Sequence, residues 1–158
     1  MPTSKVVDQA VHFADQALMG WLHRVPAAAD SAPKLGVVLC APFGYEAICA
    51  RRSLRAMATS FAAAGVPTLR FDYHGTGDSA GDDRDPQRVA VWQASIVAAI
   101  EELRASTGVQ AVTLVGVRLG ALLAAQVAAA RDDIAAFVAI APVMNGKAYL
   151  RELRALQM

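Results

Sequence analysis

Short apolar runs alternate along the chain with stretches whose apolar residues recur at helical spacing, and this alternation sets the predicted elements. Val11-His12-Phe13 and Leu18-Met19-Gly20-Trp21-Leu22 are β-prone runs around Asp15-Gln16, which predicts an antiparallel hairpin. A connector rich in Ala, Pro, Asp and Ser follows, from Pro26 to Pro33. Gly36-Val37-Val38-Leu39-Cys40 offers no polar side chain to solvent, as a strand covered on both faces requires. Pro42-Phe43-Gly44-Tyr45-Glu46 breaks that run. From Arg51 to Ala64, the residues Leu54, Met57, Ala58, Phe61 and Ala62 form an apolar stripe, which predicts a helix ending at Gly65.

The pattern then repeats. Val66 to Phe71 reads as a strand with Pro67 tolerated near its start, and Asp72 to Gly81 as a loop. Asp85-Pro86 has the signature of a helix start, and Val89, Trp92, Ile96, Ile100 and Leu103 supply a buried stripe up to Gly108. Ala111 to Val115 is a strand, Leu119 to Arg131 a helix, Ile134 to Ala141 a strand, and Tyr149 to Leu156 a charged helix. Alternating strands and helices predict an α/β three-layer sandwich, mostly parallel, with antiparallel strands near the N-terminus. The strands at 66–71, 36–40, 111–115 and 134–141 are expected side by side in that order.

Bulk properties narrow the partners. A chain of 158 residues with 55% hydrophobic content predicts one core and a single domain over residues 1–158. A net charge of +1 gives no electrostatic footprint for nucleic acid or an anionic membrane. The longest apolar run, Ile134 to Val143, is far shorter than the roughly 18 residues of a membrane span. Met1 to Lys5 leads into no signal-peptide hydrophobic region. Cys40 and Cys49 fit neither a zinc spacing nor a disulfide framework, so a reducing, cytoplasmic location without metal or other cofactor is expected. Cys40, inside an apolar run, is expected to be a buried thiol.

The candidate chemistry centres on Gly116-Val117-Arg118-Leu119-Gly120, between the strand at 111–115 and a helix. This is the context of a G-x-S-x-G nucleophile elbow, whose glycines let strand and helix backbones approach closely. Here the central residue is Arg118. A guanidinium stays protonated and carries only donors, so it cannot attack a carbonyl. The amides that open the following helix, with Arg118 beside them, motivate an anion site; a structural Arg118 held by a carboxylate is the plainer alternative. Arg51, Arg52 and Arg55 cluster within little more than one turn, which predicts a solvated helix face or, more sharply, a phosphate site.

Three segments in this order resemble the α/β-hydrolase superfamily, in its serine-aminopeptidase-like branch. They are Cys40 to Glu46, similar to an oxyanion loop; Phe71-Asp72-Tyr73-His74-Gly75-Thr76-Gly77-Asp78-Ser79, similar to a D-x-x-G-x-G-x-S loop; and the elbow. Within that branch the chain is similar to the hydrolase-like proteins that accompany exosortase A systems, some of which also carry Gly-x-Arg-x-Gly. The resemblance implies hydrolysis of an ester, thioester or amide, with oxyanion donors at the Leu119 N–H and at the Phe43 or Gly44 N–H. It also implies an acid after a seventh strand and a histidine after an eighth. This chain supplies about six strands, and His12, His23 and His74 all precede Arg118. The later acids Asp132, Asp133 and Glu152 fall on a helix end and a terminal helix. No Ser–His–acid triad maps onto it, and Ser53, Ser79 and Cys49 stand outside any elbow.

Two readings follow. The sequence is expected to be an N-terminal portion of a longer hydrolase with acid–base residues downstream. Alternatively, it is a catalytically inactive relative that binds a small acyl or anionic ligand through Arg118, Glu46, Asp72 and His74. Glu46 is the expected partner of Arg118, through a bidentate fork, with Asp72 second. Oligomeric state is not legible.

Overall fold

A six-stranded sheet in the order β1-β2-β4-β3-β5-β6 organises the molecule, a computed structural model that describes residues 5–25, 33–82 and 84–155. Most of the expected connector at 26–33 lies outside the described residues, as do Asp83 and Leu156. β1 (Val7–Phe13) and β2 (Leu18–Arg24) form the hairpin, closed by Ala14, Asp15 and Gln16, all at positive φ. β2 runs antiparallel to β4 (Thr68–Phe71). From there β4, β3 (Leu35–Cys40), β5 (Ala111–Val117) and β6 (Ile134–Ile140) are parallel neighbours, the order that the sequence predicts.

Alternate residues of a strand point to opposite faces, and β3 is buried on both. Val37 and Leu39 pack with Leu54 and Ala58 of α1 (Tyr45–Ala63) on one face. Val38 and Cys40 face the larger cluster, in which α2 (Arg88–Thr107) supplies Trp92, Ile96 and Ile100 and α3 (Leu119–Ala129) supplies Leu123 and Val127. Cys40 is buried, as expected, and burial pushes its thiol up to about 12. This core places the C-terminal ends of β3, β4 and β5 along one edge of the sheet.

Element starts depart from the sequence reading for local reasons. α1 begins at Tyr45, not Arg51, because its first turn is solvent-facing: Tyr45 and Ile48 are exposed, so no apolar stripe marks it. β4 begins at Thr68 because Pro67 has no N–H to donate to the ladder. α2 begins at Arg88, after an Asx turn in which the Gln87 N–H donates to Asp85 Oδ1 at 2.8 Å. α4 (Gly146–Ala155) starts three residues before the expected Tyr149. Among the described residues β6 is hydrogen-bonded to β5 alone, and its residues are exposed or half-buried throughout.

Candidate functional site at the strand–helix elbow

The turn from β5 into α3 is built by close backbone approach. A Cβ on Gly116 would lie 2.3 Å from the Ala121 Cα, and one on Gly120 only 2.2 Å from the Cys40 carbonyl oxygen. Both positions therefore require glycine. The residue between them, Arg118, is forced to φ 55° and ψ −118°, outside the regions that L-residues favour. Such a conformation costs roughly 1–3 kcal/mol and persists only where the surroundings over-determine it. Backbone bonds help to do so: the Arg118 N–H donates to the Ile140 carbonyl at 3.0 Å, and the Val143 N–H donates to the Arg118 carbonyl at 3.4 Å.

The side chain of Arg118 is held from two directions. Its Nε donates to Glu46 Oε1 at 2.8 Å and its Nη2 to Glu152 Oε2 at 2.9 Å. The guanidinium carbon lies 5.6 Å from the centre of the Tyr149 ring, and the Tyr149 hydroxyl donates to Glu46 Oε2 at 3.3 Å. The hydrogen bond that Arg118 donates to Glu46, and then the charge of that carboxylate, raise the Arg118 pKa further, so the group is cationic at every accessible pH. Burial, with the Glu46 charge nearby, pushes Tyr149 up to about 12.

The expected Arg118–Glu46 contact is present, but the expected bidentate fork is not. The guanidinium divides its donors between two carboxylates because Glu152, carried on α4, takes Nη2 while Glu46 takes Nε. The pair is also half-buried rather than buried, with side-chain exposures of 30% for Arg118 and 26% for Glu46. Water screening at that exposure reduces the expected cost of Glu46→Ala from the buried-pair range to about 1 kcal/mol. A urea melt of Glu46→Ala beside Glu152→Ala is the check, with the more exposed Glu152 contributing less.

The neighbouring loop stands directly beside the elbow. Gly120 packs against the carbonyls of Cys40 and Ala41, so the start of α3 touches the segment leading to Phe43 and Gly44. The Tyr73 hydroxyl donates to the Ala41 carbonyl at 3.1 Å, and the Phe43 ring packs on Trp92 at 5.0 Å. Gly44 takes φ 63° and caps α1. Leu119 is the first residue of α3, so its N–H has no acceptor within the helix.

The other candidates are placed elsewhere. Asp72 organises its own loop: Oδ2 accepts from the Asp78 N–H at 3.0 Å, and its carboxylate fills the space over Gly77. It is not the partner of Arg118. The His74 ring packs on Gly81, the His74 backbone N–H donates to Ser95 Oγ, and the His74 backbone carbonyl accepts from the Trp92 indole. Asp133 precedes β6, at the opposite edge of the sheet from the elbow, and binds Arg131 and Arg104. Those two partners hold its carboxyl well below the usual range.

Local pattern gave no sign of Glu152 and Tyr149, which reach the elbow from α4. It also missed a buried polar chain under β2. His23 is fully buried, with Nδ1 2.9 Å from Asp8 Oδ1 and Nε2 accepting from Arg70 Nε at 2.9 Å. Its one sequence signal is a histidine next to the end of an apolar strand; the sheet register sets it opposite Asp8 of β1 and Thr68 of β4. Among the described residues, no cluster of three metal-ligating side chains occurs, and no helix is long and apolar enough to cross a membrane.

A mostly parallel sheet with this strand order, a glycine-flanked elbow after β5 and helices on both faces is the α/β-hydrolase fold. The serine aminopeptidase S33 family matches residues 31–158, and the chain belongs to that family. Three solved structures share the fold. A hypothetical protein from Pseudomonas aeruginosa is 22% identical with a TM-score of 0.73, over 99% of this chain and 54% of its own. An esterase from Pyrococcus furiosus is 19% identical with a TM-score of 0.68, over 97% and 56%. An α/β serine hydrolase without a lid from Xanthomonas campestris is 20% identical with a TM-score of 0.64, over 90% and 63%. The chain thus spans between half and two thirds of the length of each. A comparison with curated proteins returns no match.

Proposed function

We propose that this chain is a catalytically inactive α/β-hydrolase relative in which Arg118 locks the elbow, and that it acts as a cytoplasmic binding module, a single domain over residues 1–158, for a small acyl or anionic ligand. The observation that carries this reading is the double ion pair of Arg118 with Glu46 and Glu152 in the nucleophile position. One guanidinium between two carboxylates leaves the cluster with a net charge of −1, which disfavours a further anion on Arg118 itself. The Leu119 and Phe43 or Gly44 amides remain the oxyanion-type donors for an acyl carbonyl, which carries no full charge.

One observation favours a second reading, a hydrolase of an ester, thioester or amide. The elbow keeps the positive φ and both close-packed glycines, the geometry that presents a nucleophile in this family. The base and acid would then come from sequence outside this chain.

The test is turnover of p-nitrophenyl acetate and butyrate, with intact-mass detection of a fluorophosphonate adduct. The expected result is hydrolysis at the buffer rate and no adduct, for the natural sequence and for Arg118→Ser. No elbow group forms an acyl-enzyme, and the histidines lie on β1, β2 and the loop after β4. Adduct and turnover in Arg118→Ser would support the hydrolase reading. Natural-sequence turnover lost on Ser53→Ala, Ser79→Ala or Cys49→Ala would overturn the lock.

A further inference from the structure

A second charged site, centred on α1 and β4, shares only Ala41 with the loop beside the elbow. Arg51 and Arg55 are one helical turn apart on α1 with Arg52 beside them, so their guanidinium groups share a face. Arg70 joins them from β4, where it is flanked by buried Leu69 and Phe71. These four arginines line a cleft of about 350 Å³, walled on its apolar side by residues that include Leu39 and Leu54. Neither Arg118 nor Glu46 lines it.

The counter-charges are too few. Asp72 and Asp78 are the acids in the cleft wall, so with Asp8, the partner of Arg55, four cations face three anions, an excess of one positive charge. Asp72 is already committed to the Asp78 N–H. Arg55 pairs with Asp8 at 2.9 Å, just outside the cleft, but among the described residues Arg51, Arg52 and Arg70 form no ion pair.

Arg70 is held as a binding residue is held. Its Nε donates to His23 Nε2 at 2.9 Å, and the opposite ring nitrogen of His23 lies 2.9 Å from Asp8 Oδ1. The ring of Trp21, another wall of the cleft, lies 5.5 Å from the guanidinium carbon. The terminal nitrogens of Arg70 donate to no protein atom among the described residues. Burial, and then Arg55, press its pKa below the ordinary value and outweigh the charges of Asp8 and Asp72.

We propose that this cleft binds the phosphoryl group of a small phosphate monoester. Guanidinium forks match phosphate oxygens in pairs, and Arg51, Arg52 and Arg70, which have no ion pair among the described residues, can share the three oxygens of a phosphoryl group where a carboxylate offers only two. The volume falls within the range of small-molecule sites, roughly 300–1,000 Å³. The organic remainder of the ligand lies against Trp21, Leu39 and Leu54. This inference is independent of the elbow reading and stands whether or not the family's chemistry operates in this chain.

The experiment is NMR titration of the chain with phenyl phosphate, following the Trp21 indole N–H, beside benzoate and phenol. Phenyl phosphate is expected to saturate one site and shift Trp21, inorganic phosphate to compete, and benzoate to bind at least ten-fold more weakly. Arg51→Gln/Arg52→Gln, a change of exposed side chains, is expected to weaken phenyl phosphate at least ten-fold without altering the melting temperature. Arg118→Gln and Arg154→Gln are expected to retain binding. Absence of saturation overturns the proposal. So does loss of binding in Arg118→Gln with retention in the Arg51/Arg52 variant. Tighter binding of a DNA duplex without a Trp21 shift would reveal a diffuse basic surface and also overturn it.

Discussion

Gly120→Ala is expected to destabilise the protein by about 3–5 kcal/mol, a loss that belongs to the small class of severe single substitutions. The added Cβ would meet two carbonyl oxygens, those of Cys40 and Ala41, at 2.2 and 2.3 Å. Both belong to backbone, and Cys40 is fixed in the central strand by its ladder bonds to β5. Nothing at the contact can rotate away, so either α3 separates from β3 or the strand end distorts. Gly108→Ala provides the contrast. Gly108 closes α2 at φ 73° with open space where a Cβ would stand, so its substitution carries only the left-handed penalty of about 1–2 kcal/mol. Urea denaturation of both variants separates the two mechanisms. Equal losses would mean that the close approach at Gly120 does not constrain the elbow.

The second large effect is a dependence on acidity. Burial pushes the His23 pKa below its ordinary 6.5, only partly opposed by the charge of Asp8. The unfolded chain therefore binds a proton near pH 6.5 that the folded chain refuses. Stability is full above that value and falls as the pH drops below it, by up to about 1.4 kcal/mol per pH unit until the folded ring also protonates. Protonation would also remove the acceptor for Arg70 and set two cations side by side. His23→Gln is expected to lose about 1–3 kcal/mol at neutral pH, because Gln cannot keep both the acceptor for Arg70 and the contact with Asp8 in place. In return its stability should vary less between pH 7.5 and 5. Urea midpoints at the two pH values, for both proteins, measure the difference in slope. Parallel slopes would show that another group senses the acid. Asp133 does not compete in this window, because its ion pairs keep it ionised to far lower pH.

Much of the sheet was legible because burial on both faces leaves a plain record. β3, β5 and the middle of the β1–β2 hairpin appear in the sequence as apolar or β-prone runs of strand length. The first residues of β1, Val7 to Ala10, do not. They lie at the edge of the sheet, are largely exposed, and are held by backbone pairing to β2 that imposes no side-chain pattern. The first turn of α1 was hidden for the same reason.

At the site, Gly116 and Gly120 announced the elbow, since only glycine allows so close an approach. The Arg118–Glu46 pair was also within reach, because adjacency of β3 and β5 brings their following loops together. Glu152 and Tyr149 were not, since the docking of α4 depends on tertiary contacts that no local period encodes. The Asp8–His23–Arg70 chain joins the hairpin to β4, which is distant in sequence, and only the pairing of β2 with β4 brings its members together.

The two cysteines carry a consequence for how opening of the core can be followed. Cys40 is enclosed at the end of β3, and Cys49 is exposed on α1. A thiol reagent reaches an enclosed sulfur only when the structure around it opens. Cys49 thus reports the reagent, and Cys40 reports the excursions of the sheet. Mass spectrometry of one alkylated sample separates the two labels, which gives a clock for local opening that needs neither substrate nor denaturant.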